Sequence, residues 1–271
     1  MSDARAYLER IARTLPAAAS GLVRPRRPTG ADLADVHLAD LPVATAGVRV
    51  HALLQNEWDA PTAAVVEGQL TPPTTRMAIG AFLVEHPSGT FLVDAGMCAD
   101  AHTRHLADLP ALVRSLTAGP PPQLGVAAAI AAAGFDPQAL QFALLTHVHW
   151  DHVSGLARPD QCQVPLVDAR RQPGDGSVVL CDLSGHTPGH CGVLLALRSG
   201  RRILLAGDAV WNLAQVRLVR QRSALARLAD ADPDAAYRTV VRLSRLPSDV
   251  LVLPAHDHAA ITTAFGAGPL A

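Results

Sequence analysis

Lysine is absent from the 271 residues, so all 23 basic side chains are arginines. That absence excludes a Schiff-base lysine and a phosphate-loop lysine, and with them two classes of mechanism. Cysteine is scarce. Cys98, Cys162, Cys181 and Cys191 show no C-x-x-C spacing and are too few to staple a chain of this length, so they read as reduced core residues. Neither charge sign is in excess: 23 basic residues face 24 acidic ones, and the net charge of -1 gives no broad attraction to nucleic acid or an anionic membrane. A long apolar run is missing too, since the longest, Gly125 to Phe135, falls well short of the roughly 20 residues that cross a bilayer. The N-terminus carries Asp3 and Glu9 among its arginines and lacks the basic-then-apolar order of a signal peptide. The expectation is a cytoplasmic protein with no nucleic-acid or membrane partner.

What is present is apolar mass: hydrophobic residues make up 49% of the chain and charged ones 17%, enough to bury a sizeable core. Helical spacing over Ala4 to Leu15, then the turn-rich stretch Arg24 to Gly30, predicts an N-terminal arm over residues 1–30 and one domain over 31–271. Val48 to Leu54 alternates like a strand, and Ala81 to Gly96 reads as a hairpin around Pro87-Ser88-Gly89. Two helical patterns fill Met97 to Gln141, broken by the prolines at 120–122 and closed by Gly134. Further strands are expected at Phe142 to Thr146, Val178 to Leu183, Cys191 to Leu197, Arg202 to Ala206 and Asp249 to Leu253. A helix should start at Asp151, and others should fill Asn212 to Ala229 and Pro233 to Leu246. The strand-turn-strand-Asp shape of Leu194 to Asp208 loosely echoes Phe82 to Asp94, a sign of two similar halves.

Three of the 12 histidines fall within His147-Val148-His149-Trp150-Asp151-His152, directly after an apolar strand. In an extended segment residues two apart point the same way, so His147 and His149 can reach one ion together. Asp151 and His152 lie where the strand gives way to a helix and can turn toward a second ion. Imidazole with carboxylate suits zinc or a similar divalent ion at neutral pH. Downstream candidates are His186 in Gly185-His186-Thr187-Pro188-Gly189-His190, Asp208 in Ala206-Gly207-Asp208, and His256 in Pro254-Ala255-His256-Asp257-His258.

With these residues in place, the sequence from about Ala81 to His256 resembles the metallo-β-lactamase superfamily, most closely its N-acyl-homoserine lactonase-like branch. The resemblance implies an αββα sandwich, two mixed β-sheets flanked by helices. It implies that His147, His149 and His186 hold one metal and Asp151, His152 and His256 the other, with Asp208 bridging both. Asp94, in Val93-Asp94-Ala95-Gly96, matches a position that orients a ligand from behind. Zinc is the expected metal, with iron, manganese or cobalt accepted by the same donors. Two such ions share a water and lower its pKa from 15.7 toward about 7, so that a bridging hydroxide attacks the substrate carbonyl while Asp151 carries a proton. The implied activity is opening of a lactone or another small ester, as in quorum quenching. A thioesterase or phosphodiesterase using the same site is the alternative, and a metal-stabilised binding domain a third reading. The implied partner is a small-molecule substrate, with room for a homodimer.

Departures from sister families narrow the resemblance. A flavodiiron protein would place Glu at His149, and a common zinc β-lactamase would place Arg at His152 and Cys at Asp208. Fifteen residues follow His256, short of the C-terminal helical domain with which glyoxalase II binds glutathione. Many lactonases of the branch carry Tyr three residues after the bridging Asp, where this chain has Trp211; an indole there narrows the pocket or donates a weaker bond. Trp150 is read as a pocket-wall residue beside it. His190, Asp257 and His258 are expected to support rather than ligate. His37, His51, His86, His102 and His105 are expected at the surface or in packing. The arginine-rich stretch Arg217 to Arg227 reads as a solvated helix face, with binding of a substrate carboxylate as the alternative.

Overall fold

The computed structural model describes residues 2–34, 40–107, 124–156 and 174–271. His37, Cys162 and much of the first helical pattern expected after Met97 lie outside them, while the second is the helix Val126–Ala132. Among the described residues, eight strands form two four-stranded sheets. The first holds β1 (Arg49–Pro61), β2 (Thr74–His86), β3 (Gly89–Val93) and β4 (Ala143–Leu144), in that spatial order. The second holds β5 (Val178–Asp182), β6 (Cys191–Ala196), β7 (Arg202–Gly207) and β8 (Val250–Pro254), again in chain order. Within each sheet the first two pairings are antiparallel and the last is parallel. The echo between Phe82 to Asp94 and Leu194 to Asp208 is therefore structural: Asp94 follows β3 as Asp208 follows β7, and the His147 motif follows β4 as His256 follows β8.

Alternation along the strands explains the layering. Phe82, Val84, Phe91 and Val93 face inward and meet Val193, Leu195, Ile203 and Leu205 of the other sheet. Their neighbours Leu83 and Leu92 face outward and are covered by Val126 and Ile130 of the helix Val126–Ala132. Leu194 and Leu204 face outward on the second sheet, beneath Val240 and Leu243 of the helix Pro233–Leu243. Strands buried on both faces must read as continuous apolar runs, as β6 and β7 do. Each such side chain contributes about 1.5 to 3 kcal/mol when fully buried, and the result is the expected αββα sandwich.

The helices follow local signals. Asp232 caps Pro233–Leu243 by accepting from the backbone N–H groups of Asp234 and Ala235, with Pro233 in the first turn. Asn212 and Gln215 form a capping box on Leu213–Leu218. That helix stops at Val219, which adopts a left-handed conformation at φ 50°. The single helix expected over Asn212 to Ala229 is thus corrected to a short helix, a turn, and a 3-10 segment Ala226–Ala229. The N-terminal helix Ser2–Val23 carries Pro16 within it, and the chain beyond it is anchored where Arg26 lies 4.1 Å over the Tyr237 ring and pairs with Asp234. No described helix is long and apolar enough to cross a membrane.

Candidate metal centre

The four strand ends that carry the site converge at one edge of the sandwich. The backbone N–H of Cys191 donates to Thr146 O at 2.9 Å, and that of Ala78 to His256 O at 3.1 Å, so the ends of β4 and β8 are each tied to the opposite sheet. Gly207 takes φ 51° to turn the chain after β7, and a side chain there would lie 2.6 Å from Thr146 Oγ1 and 2.9 Å from His190 Nε2. Only glycine fits both the turn and the approach. Asp94 takes a similar φ of 56° after β3. Its carboxylate compensates for that strain by accepting from Thr146 N, Thr146 Oγ1 and His152 Nδ1 at 2.8 to 3.0 Å.

All seven ligand candidates come together, in two groups. Donor atoms of His147, His149, His186 and Asp208 lie within 4.8 Å of one another, as do those of Asp151, His152 and His256. His149 Nδ1 is 3.1 Å from His147 Nε2 and 2.9 Å from His186 Nε2, and His186 Nε2 is 3.4 Å from Asp208 Oδ2. A tetrahedron with bonds of about 2.0 to 2.1 Å has edges of about 3.3 Å, so these spacings match a zinc-sized cation. Asp208 also reaches the second group, with Oδ1 3.0 Å from His256 Nε2 and 3.1 Å from His152 Nε2. Asp151 Oδ2 is 3.5 Å from His256 Nε2.

The hydrogen-bond directions test whether metal ions fit. Four rings place Nδ1 against an outward partner: His147 against Thr146 Oγ1, His152 against Asp94, His186 against Asp230 and His256 against Ala78 O. With Nδ1–H donating outward, each Nε2 faces the cluster and, when the ring is neutral, turns its lone pair inward, the tautomer that ligation needs. His152 Nε2 and Asp208 Oδ1 are buried and lack a hydrogen-bond partner. Buried carboxylate and imidazole atoms brought this close, two of them without a hydrogen-bond partner, are unfavourable unless a cation fills the space between them, so the residues fit a pair of divalent ions.

The charges agree. Burial pushes the His147 and His149 pKa values down, aided by neighbouring rings, so both are neutral. Burial also opposes charge on His152 and His256, but Asp94 and Asp208 outweigh it at His152, and Asp208 at His256, and hold both pKa values up. Burial would raise Asp208, yet His256 and His152 hold it well below the usual carboxylate range.

The neighbours of the site separate into clear roles. His190 is fully buried, and its Nε2 accepts from the Asp208 N–H at 3.1 Å, while burial brings its pKa down to about 4. Asp257 is buried and accepts from Leu213 N and Ala260 N, and His258 lies 3.4 Å from Glu57. Trp150 packs on Ile79 and Met97. Trp211 does not leave its indole free: Nε1 donates to Asp208 Oδ2 at 2.9 Å. Sequence reading missed Trp58, whose ring is 6.2 Å from His256, so that all three tryptophans of the chain border the site. It also missed Asp230, and it placed Arg222 wrongly. Far from lying on a solvated face, Arg222 is 2% exposed and donates to Asp208 O and Asp230 Oδ1. No local motif marks either residue; the one available signal was an arginine spaced to follow a helix that ends early.

Comparison with known proteins adds a match to a family over part of the chain, and the fold. The sequence model described as the metallo-beta-lactamase superfamily matches residues 75–158. A hydroxyacylglutathione hydrolase of Ruegeria pomeroyi is 32% identical over 133 residues, covering 42% of this chain and 47% of that protein. One of Haemophilus ducreyi is 27% identical over 144 residues, covering 47% and 55%. The chain thus spans about half the length of the curated relatives it matches. Among solved structures, an N-acyl homoserine lactone hydrolase with N-hexanoyl-L-homoserine at its catalytic metal centre superposes with a TM-score of 0.59 at 16% identity, over 81% of this chain and 96% of that one. The dizinc quorum-quenching lactonase AidC gives 0.54 at 14% identity, over 80% and 92%. At such identities these structures establish the fold alone.

Proposed function

We propose, from the match of residues 75–158 to the metallo-beta-lactamase superfamily and from the fold, that the chain is a dinuclear metal-dependent hydrolase opening lactones or other small esters. The observation that carries the reading is the inward convergence of His147, His149, His186, Asp208, Asp151, His152 and His256, with four Nδ1 atoms held outward. Divalent ions bound there supply a hydroxide nucleophile at neutral pH and Lewis-acid polarisation of a carbonyl. Asp208 faces both groups and fixes their separation. Asp151 is the most open of the ligand carboxylates, its side chain 16% exposed, and its Oδ atoms are placed to take a proton and pass it to a leaving alkoxide. Trp58, Trp150 and Trp211 are partly buried and wall the mouth with apolar rings, which exclude water and favour an apolar acyl group. Zinc is the metal we expect, and the substrate a small molecule.

A second reading is favoured by one observation: the sequence relatives act, by name, on hydroxyacylglutathione, a thioester. The deciding experiment assays metal-quantified protein against lactones, thioesters and phosphodiesters side by side. Lactone or ester turnover that disappears with a chelator and returns with zinc supports the first reading. Thioester turnover alone moves the protein to the second, and inactivity on every class with both ions bound rejects hydrolysis.

A further inference from the structure

Behind the metal centre, Arg222 sits at a junction that the proposed chemistry does not use. Its Nη1 donates to the backbone oxygen of Asp208 at 3.1 Å, and its guanidinium lies 4.4 Å from the centroid of the Trp211 ring. Its Nη2 donates to Asp230 Oδ1, the oxygen that faces His186 Nδ1 at 2.9 Å. The side chains of Arg222, Asp230 and His186 are each no more than 2% exposed. Buried charges persist when paired and hydrogen-bonded, and this pair is aimed at the site rather than at the core. From the structure we infer that Arg222 and Asp230 are positioning residues. They fix the tautomer of His186 and hold that ring in register with Asp208, two ligands that come from separate loops.

The physical argument has two steps. Asp230 Oδ1 faces both Arg222 Nη2 and His186 Nδ1, and an anionic oxygen can only accept; the imidazole proton therefore stays on Nδ1 and the Nε2 lone pair is presented to the cluster. Arg222 then ties that carboxylate to the Asp208 backbone through a planar fork that spans both partners at once, a reach a lysine ammonium lacks. Trp211 closes the ring, stacking on Arg222 while donating to Asp208 Oδ2. Second partners of this kind typically change metal affinity 10- to 100-fold, an order-of-magnitude figure for carboxylate-histidine pairs.

This inference rests on the dinuclear reading, and its test separates the two. Metal affinities of the wild type, Asp230→Ala, Arg222→Lys and the double variant Arg222→Met/Asp230→Ala are measured by zinc titration against a chelator. In parallel, the His186 tautomer is read by nitrogen-15 NMR of the metal-free proteins. The double variant removes both charges together, so it keeps the fold if either single change unbalances it. The expected result is an Nδ1–H tautomer in the wild type and a mixture in the variants. The group containing His186 should bind zinc about 10- to 100-fold more weakly in them, with the group containing His152 changed less than threefold, by the same order-of-magnitude standard. A lower melting temperature with the tautomer and both affinities unchanged would overturn the inference and leave the pair a structural one. A wild type that binds fewer than two ions at saturation would instead overturn the dinuclear reading, while the tautomer comparison still decides the role of Asp230.

Discussion

Trp211 holds Asp208 by a 2.9 Å hydrogen bond from its indole nitrogen, so its N–H is committed to a carboxylate of the candidate metal centre. A hydrogen bond to a charged group contributes about 1.5 to 3 kcal/mol. Trp211→Phe keeps the ring over Arg222 and removes only the donor. It should weaken zinc binding by about tenfold or more, with KM changed less than in Trp211→Ala, which also opens the pocket wall. Unchanged affinity in the Phe variant, measured by chelator competition, would show that Asp208 does not depend on the bond.

Metal content separates ligands from neighbours. Purified protein should bind two ions per chain, one for each donor group. His186→Ala should lose the ion of its own group and most turnover. His190→Ala should keep both ions but melt at a lower temperature, because it leaves a cavity and an unpaired Asp208 N–H in a fully buried spot. Asp208→Ala should be worse than either, since it withdraws charge from both groups. Elemental analysis of each variant decides the matter.

Loading should depend on pH in a definite direction. His147 and His149 have depressed pKa values and carry no proton at neutral pH, so neither has to lose one before it can ligate. His152 and His256 have raised values, and each must release a proton before it can ligate. Lowering the pH therefore strips the second group first. As the pH falls through the range above the ordinary imidazole value of about 6.5, where these raised groups take up their protons, zinc per chain should fall from two toward one at limiting metal. Loss of both ions in a single step would contradict the assigned protonation states.

Gly207→Ala tests the turn that delivers Asp208. The added carbon would meet Thr146 Oγ1 at 2.6 Å in a residue held at φ 51°. A left-handed non-glycine residue costs about 1 to 2 kcal/mol before any clash. The variant should unfold at lower urea by at least that amount, measured on chelator-treated protein so that metal loss does not contribute.

Much of this was legible in the sequence, because ligand motifs and apolar alternation are local signals. The His147 to His152 string declares itself within six residues, and the hairpin of Ala81 to Gly96 is written in its turn. The illegible parts are those that depend on contacts made across the fold. Asp230 stands 44 residues from His186, its partner, and nothing beside it announces a role. Arg222 looked solvated because a continuous helix was expected through Val219, whose left-handed turn redirects the chain inward. β4 proved shorter than the apolar run Phe142 to Thr146, since its last residues peel away to bring His147 to the cluster.

The two sheets share one plan, yet neither owns a complete set of donors. The group of His147, His149, His186 and Asp208 takes two residues from the strands before position 174 and two from those after it; the group of Asp151, His152 and His256 takes two and one. The candidate metal centre is therefore a property of the seam. A slip of one sheet against the other by a fraction of an ångström would spoil both groups together, and bound ions would in turn act as rivets that couple the two halves into one unfolding unit.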